Sequence, residues 1–142
     1  MNRVLLTFVA SLCLAVLPLV AMAGPPKCDV CSMKIDDAHH VHFKFVRTDG
    51  SEAHLGSLTC SEKFWATHKD ENLSFLASDF VSGEFSAADK GYFLVGSKLS
   101  VGTGMDRVGA IFFADRAMAE KARRANGGKV VALTEALSAI KR

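Results

Sequence analysis

Val41, Phe43 and Phe45 alternate with His42, Lys44 and Val46, and this run leads into Thr48-Asp49-Gly50-Ser51. A period of two places alternate side chains on opposite faces of a strand. Asp-Gly between two such runs marks a hairpin, because the turn needs residues that accept positive φ. The returning strand is Glu52 to Leu58, with Ala53 and Leu55 facing inward. Thr59-Cys60-Ser61-Glu62 then fits S/T-x-x-E, which predicts a helix with Thr59 as N-cap, carrying Phe64 and Trp65 and ending near Lys69. Leu73 to Val81 is apolar and reads as a third strand. The order is ββαβ.

The same order recurs downstream. Gly91 to Gly96 and Val108 to Phe113 are apolar strands, Asp115 is an N-cap for a helix from Arg116 to about Ala125, and Asn126-Gly127-Gly128 stops it. Lys129 to Leu133 is the last strand, and Thr134 caps a short terminal helix bearing Leu137 and Ile140. Two tandem ββαβ units imply an α+β fold made by internal duplication, over residues 39–85 and 86–142.

The first 23 residues read as a signal peptide. Arg3 supplies a positive start, Val4 to Val20 is uncharged and apolar, and Ala21-Met22-Ala23 is a small-x-small cleavage site before Gly24. The run contains Pro18 and is short for a bilayer span of about 20 residues. Cys13 lies deep in the run and Cys28 lies beyond the cleavage site, so neither fits a lipid anchor. The expectation is a soluble periplasmic protein beginning at Gly24.

Formal net charge is only +2 at pH 7, and there is no basic stripe or run of like charge. Nucleic acid is therefore not an expected partner. Cleavage leaves Cys28, Cys31 and Cys60, an odd set in a compartment that normally pairs thiols.

These thiols are the chemistry-bearing residues. In the arm formed by residues 24–38, Cys28-Asp-Val-Cys31-Ser-Met33 offers two thiols and a thioether within one short segment. Soft sulfur donors select Cu(I), whereas Zn(II) prefers closed sets of four Cys or His ligands. Cys60, read as the first residue of a helix, would feel the positive helix end, which favours its thiolate. Met105 lies in the glycine-rich Gly102-Thr-Gly104-Met105-Asp106, where core packing does not explain a methionine. His40 and His42 fall on the polar face of the first strand. Most such histidines are solvated, but closeness to Cys31 keeps His42 as a nitrogen-donor candidate. Met118 lies on an apolar helical stripe and belongs to the core. Ser32 directly after the second cysteine excludes c-type haem attachment.

The same residues resemble the NosL family, copper-binding accessory proteins of nitrous oxide reductase assembly. Cys28-Asp-Val-Cys31-Ser-Met33-Lys-Ile35 is similar to the family's Cys-x-x-Cys-Gly-Met-x-Ile, with Ser32 in place of glycine. Thr59-Cys60 corresponds to its later Gly-Cys before a helix. Ser78-Asp79-Phe80, Ala87-Ala88, Tyr92-Phe-Leu-Val95, Gly104-Met105, Ala110-Ile-Phe-Phe113 and Gly127-Gly128 extend the likeness over nearly the whole mature chain. The acidic stretch that commonly precedes the family's second cysteine is replaced by His54-Leu-Gly-Ser-Leu58, and the lipid-anchor cysteine is missing.

The resemblance implies paired ββαβ units related to the organomercurial lyase fold. It implies one Cu(I) per monomer, held by Cys31, Met33 and Met105 as main ligands, and delivery to a periplasmic copper enzyme, nitrous oxide reductase. Cys28, Cys60 and His42 complete the candidate set. A metallochaperone of this kind is not an enzyme. The rival readings are a thiol-disulfide oxidoreductase using Cys28 and Cys31, a C–metal lyase using Cys31, Cys60 and Asp36, and a module whose cysteines only staple the arm to the domain.

Overall fold

In the computed structural model, which describes residues 24–35, 40–99 and 109–141, the expected hairpin closes at Asp49-Gly50. Gly50 has φ +83 and donates its N–H to the Arg47 carbonyl, while the Asp49 carboxylate accepts from Ser51 N–H. The flanking strands are β1 (Phe43–Arg47) and β2 (Glu52–Leu55), paired antiparallel with Phe43 opposite Leu55 and Lys44 opposite His54. α1 (Leu58–Thr67) follows, then β3 (Leu73–Ser78) and β4 (Phe85–Ala87), giving a four-stranded antiparallel sheet in the order β2-β1-β3-β4. The short β4 is not evident in the sequence pattern, since three residues are too few to show alternation.

A single 3-10 turn, Ala88–Lys90, leads to the second half. There β5 (Tyr92–Val95), β6 (Ala110–Phe113), α2 (Arg116–Asn126), β7 (Lys129–Val131) and α3 (Leu133–Ile140) form a three-stranded antiparallel sheet, order β6-β5-β7, with two helices. Among the described residues the fold is thus mixed α+β with two small antiparallel sheets and three α-helices, and the ββαβ order occurs twice. Asp115 caps α2 by accepting the Ala117 N–H, and Gly127 stops it at φ +71. α3 begins earlier than expected. Leu133 is its first residue and Ala132 its N-cap, so Thr134 lies inside the first turn rather than capping it. Leu133, Leu137 and Ile140 then share the helical face that packs on the core.

One apolar core joins the halves. Phe43 and Phe45 of the first sheet pack with Phe75 and Phe64, and Phe43 also stacks on Phe93 of the second sheet at 6.5 Å. The opposite face of the second sheet, with Leu94, Ile111 and Phe113, is covered by Ala119, Met118 and Ala122 of α2. All four residues of β6 are buried, which is why that strand reads as an unbroken apolar run rather than an alternating one. Met118 therefore sits where its helical stripe placed it.

Asp79 ties the halves together through polar contacts. It is 8% exposed, and its carboxylate accepts N–H from Ala114 (2.8 Å), Ser82 (2.9 Å) and Val81 (3.2 Å) and the Ser82 hydroxyl (3.0 Å). Burial opposes its ionisation, but these donors outweigh burial and hold the carboxyl below its ordinary range. Ala114 follows β6 directly, so this carboxylate joins the end of β3 to the end of β6. Replacing Asp79 by Ala strands several donors in a buried place and is expected to cost on the order of 2–4 kcal/mol in urea unfolding. Because the folded pKa is depressed, this contribution is present above the carboxyl's unfolded pKa, near 3.9, and is lost as pH falls through the lower folded value. An Asp79→Ala protein as stable as wild type at neutral pH, with the same acid limb, would contradict this role.

Candidate metal centre

The arm before β1 folds back on itself. Lys27 and Lys34 form an isolated antiparallel bridge, Cys28 N–H donates to the Met33 carbonyl at 2.8 Å, and Ile35 N–H to the Pro26 carbonyl at 2.9 Å. The turn between them is closed by Ser32 N–H donating to the Cys28 carbonyl at 2.7 Å, with Ser32 at φ +61. That conformation is the one glycine adopts without penalty, which explains why a glycine at this position suits the motif. The turn brings Cys28 and Cys31 to the same side of the arm.

The arm is then pinned to β2. Asp29 N–H donates to the His54 carbonyl at 2.8 Å, and the Asp29 carboxylate accepts His54 N–H at 2.6 Å. Two residues past β2, Ser57 starts α1 as its N-cap, accepting the Cys60 N–H on its hydroxyl at 3.1 Å. This corrects the expected start: Thr59 is not the cap, and Cys60 is the third helical residue rather than the first. Leu58 and Cys60 are both fully buried within the first turn of this helix.

The result is a cluster in which the ligand sulfurs of Cys28, Cys31 and Cys60 all lie within 4.8 Å of one another. All three are free thiols. An ion bound at metal–sulfur distances of about 2.3 Å in a trigonal plane holds its sulfurs about 4 Å apart, so the group fits one ion with little movement. Among the described residues the group consists of these three thiols, one short of a closed four-ligand zinc set. Cys28 and Cys60 are buried, and Cys31 is half-buried.

Burial and the neighbouring thiols divide the protons unequally. Burial penalises the Cys28 thiolate, but the backbone N–H groups of Gly56, Cys31 and Val30 turned to its sulfur prevail and lower its pKa. Burial pushes the Cys60 thiol up to about 12; the Ser57 hydroxyl opposes this, while Cys28 and Cys31 add to it. The expected helix-dipole activation of Cys60 is therefore overridden. At a buried position beside another thiolate, desolvation and repulsion exceed a dipole effect of roughly 1 kcal/mol.

The remaining candidates are Met33, Met105 and His42. Met33 lies on the same arm with its side chain 42% exposed, so core packing does not account for it. Met105 and the leader 1–23 lie outside the described residues. His42 is on the outer face of the first sheet, but it is not solvated as its strand face implied. It is 7% exposed, set edge-on against Phe85 of β4 and joined to His54 by a 2.9 Å contact between Nε2 and Nδ1. His54 was not singled out by sequence, although the hairpin register places it diagonally across from His42.

The chain matches no protein-family model, and no curated protein is similar to it. Its fold is similar to a solved structure, the copper chaperone NosL from Shewanella denitrificans, with a TM-score of 0.61 at 18% identity, covering 81% of this chain and 92% of that one. At that identity the likeness is one of fold, and it agrees with the fold implied by the resemblance of the Cys-x-x-Cys-x-Met segment.

The geometry orders the thiols by access. Under limiting iodoacetamide in reduced native protein, Cys31 is expected to be alkylated first, with Cys28 and Cys60 reacting only as the protein unfolds. Peptide mapping in which Cys60 reacts as early as Cys31 would mean that the cluster is not closed as described.

Proposed function

We propose that this protein is a periplasmic metallochaperone that binds one Cu(I) and delivers it to a periplasmic copper enzyme, with nitrous oxide reductase as the client implied by the resemblance. The observation that carries the reading is the convergence of three thiol sulfurs within 4.8 Å, with one of them open to solvent. The all-sulfur donor set favours a soft monovalent ion. The copper chaperone of similar fold supports the same class of cargo.

Copper is the cargo here, and the chain's own residues act as exchangeable donors. Cys28 and Cys60, fixed in the core, hold the ion from beneath. Cys31 and the exposed thioether of Met33 lie on the outer side, where a partner's sulfur can enter. Transfer proceeds by substitution: an incoming thiolate or thioether bonds to the ion as Cys31 leaves, and the two buried thiolates are displaced last. Cu(I) keeps its oxidation state, and no bond of the protein is made or broken, so the protein acts as a carrier rather than an enzyme. Met105 extends the donor set as a proposed ligand from the second half.

Thiol-disulfide exchange is the weaker reading for a physical reason. Such chemistry needs an accessible thiolate, whereas the thiol with the lowered pKa, Cys28, is 2% exposed.

Competition between the reduced protein and a Cu(I) chelator tests the proposal. Cys31→Ser combined with Met33→Ala is expected to weaken binding by more than the roughly tenfold to hundredfold that loss of an outer-shell partner costs. Affinity should also rise with pH, because the ion must displace the Cys60 proton, which is held up to about 12. Unchanged affinity in the double variant, or affinity that is flat with pH, would sink the site.

A further inference from the structure

The outer face of the first sheet carries a second convergence of metal-ligating atoms that the thiol site does not use. His42 precedes β1 and His54 lies in β2. Their rings approach with centroids 5.1 Å apart and nitrogens Nε2 and Nδ1 at 2.9 Å. Glu52, two residues before His54 on the same strand and face, places Oε2 3.6 Å from the other nitrogen of His54. Its second oxygen accepts from Lys44 Nζ at 2.8 Å, which holds the carboxylate in place and ionised. Lys44 also lies 4.4 Å over the Phe85 ring that packs against His42.

Two imidazoles in direct contact need one nitrogen with a proton and one with a lone pair. The carboxylate beside Nε2 of His54 favours the proton there, which leaves Nδ1 as the lone pair facing His42. A carboxylate on the far nitrogen of an imidazole is the usual outer-shell arrangement of a histidine metal ligand, because it fixes the tautomer and the ring direction. His42 is held in its place by burial and by Phe85. His54, with a side chain 33% exposed, has room to swing. Beside His42 a cavity of about 410 Å³ lined by His40, Ser78, Ser82, Gly83 and Phe85 leaves space for water.

We propose that His42 and His54 form a second metal site, chemically distinct from the thiol cluster, that takes a borderline divalent ion of the Zn(II) or Cu(II) kind. Imidazole nitrogen suits these ions, and the Irving–Williams order makes Cu(II) the tightest of them. The ion takes the place of the shared proton, each ring binds it through a lone pair as neutral imidazole, and the displaced proton is taken up by water. Nitrogen ligands on one tetrahedral ion stand roughly 3.3 Å apart at bond lengths near 2.05 Å, so the His54 ring moves outward to admit the ion. Water completes the coordination on the His54 side. No oxidant or reductant is involved. This site stands on geometry separate from the copper reading and does not depend on it.

Zn(II) alone is the probe, since it does not oxidise thiols. Long-range proton–nitrogen spectra of the reduced, full mature protein report each imidazole nitrogen and are blind to sulfur. On adding Zn(II), His42 Nε2 and His54 Nδ1 are expected to shift together to metal-bound positions. The half-saturation point should rise at least about tenfold in His54→Ala and remain unchanged in His68→Ala. Cys31→Ser should leave these shifts intact whatever it does to Cu(I) binding, so failure here and failure of the copper site are distinguishable. His54→Gln gives a check that retains polarity should the alanine variant fold poorly. Shifts confined to other histidines, or equal Zn(II) binding by wild type and both His54 variants, would mean that the two rings form a hydrogen-bonded pair and nothing more.

Discussion

The thiol cluster depends on one short docking contact, the pair of hydrogen bonds between Asp29 and the backbone of His54. Its own bridge at Lys27 and Lys34 shapes the arm bearing Cys28 and Cys31, but this contact fixes the arm against β2. With it, that arm becomes an extension of the first sheet's edge. The chain leaving β2 reaches Ser57 after two residues and delivers Cys60 at the start of α1. Two segments about thirty residues apart in sequence thus present sulfur to one point. The buried Cys28 and Ile35 side chains add apolar anchorage to this contact, so the arm belongs to the core as much as to the surface.

The same construction sets the electrostatics of the cluster. Backbone amides around Cys28 stabilise a charge there, and burial denies a second charge to Cys60. Negative charge in the cluster is therefore favoured at Cys28 over Cys60. In the copper reading, the charge of the ion offsets the burial that opposes a thiolate at Cys60. On the other face of β2, the His42 and His54 pair presents nitrogen rather than sulfur, so one strand separates two donor chemistries. Asp79 provides the corresponding fixed point between the halves and keeps the shared aromatic core from depending on apolar packing alone.

Much of this was legible in the sequence, and the failures have local causes. Asp49-Gly50, Asp115 and Gly127 each demand a particular backbone state, and each stands where its signal placed it. The expected start of α1 is two residues late because Ser57 and Thr59 are both acceptable caps, and the capping pattern alone does not choose between them. Thr134 failed as a cap in the same way, since the apolar face of α3 begins at Leu133. His42 looked solvated by strand alternation, but β4 was too short to foresee, and it is Phe85 of β4 that covers the ring. The family resemblance implies Cys31 and Met33 as main ligands and ranks Cys28 behind them. The turn at Ser32, which brings Cys28 and Cys31 to the same side of the arm, depends on a positive φ in a residue that seldom adopts one.

The central claim is that Cys28, Cys31 and Cys60 share one Cu(I). The most direct measurement is the copper X-ray absorption fine structure of the Cu(I)-loaded protein, wild type beside Cys60→Ser. The account predicts a first shell of sulfur in the wild type and one sulfur fewer in the variant. A shell that is identical in the two proteins, or a wild-type shell made mainly of nitrogen or oxygen, would contradict it.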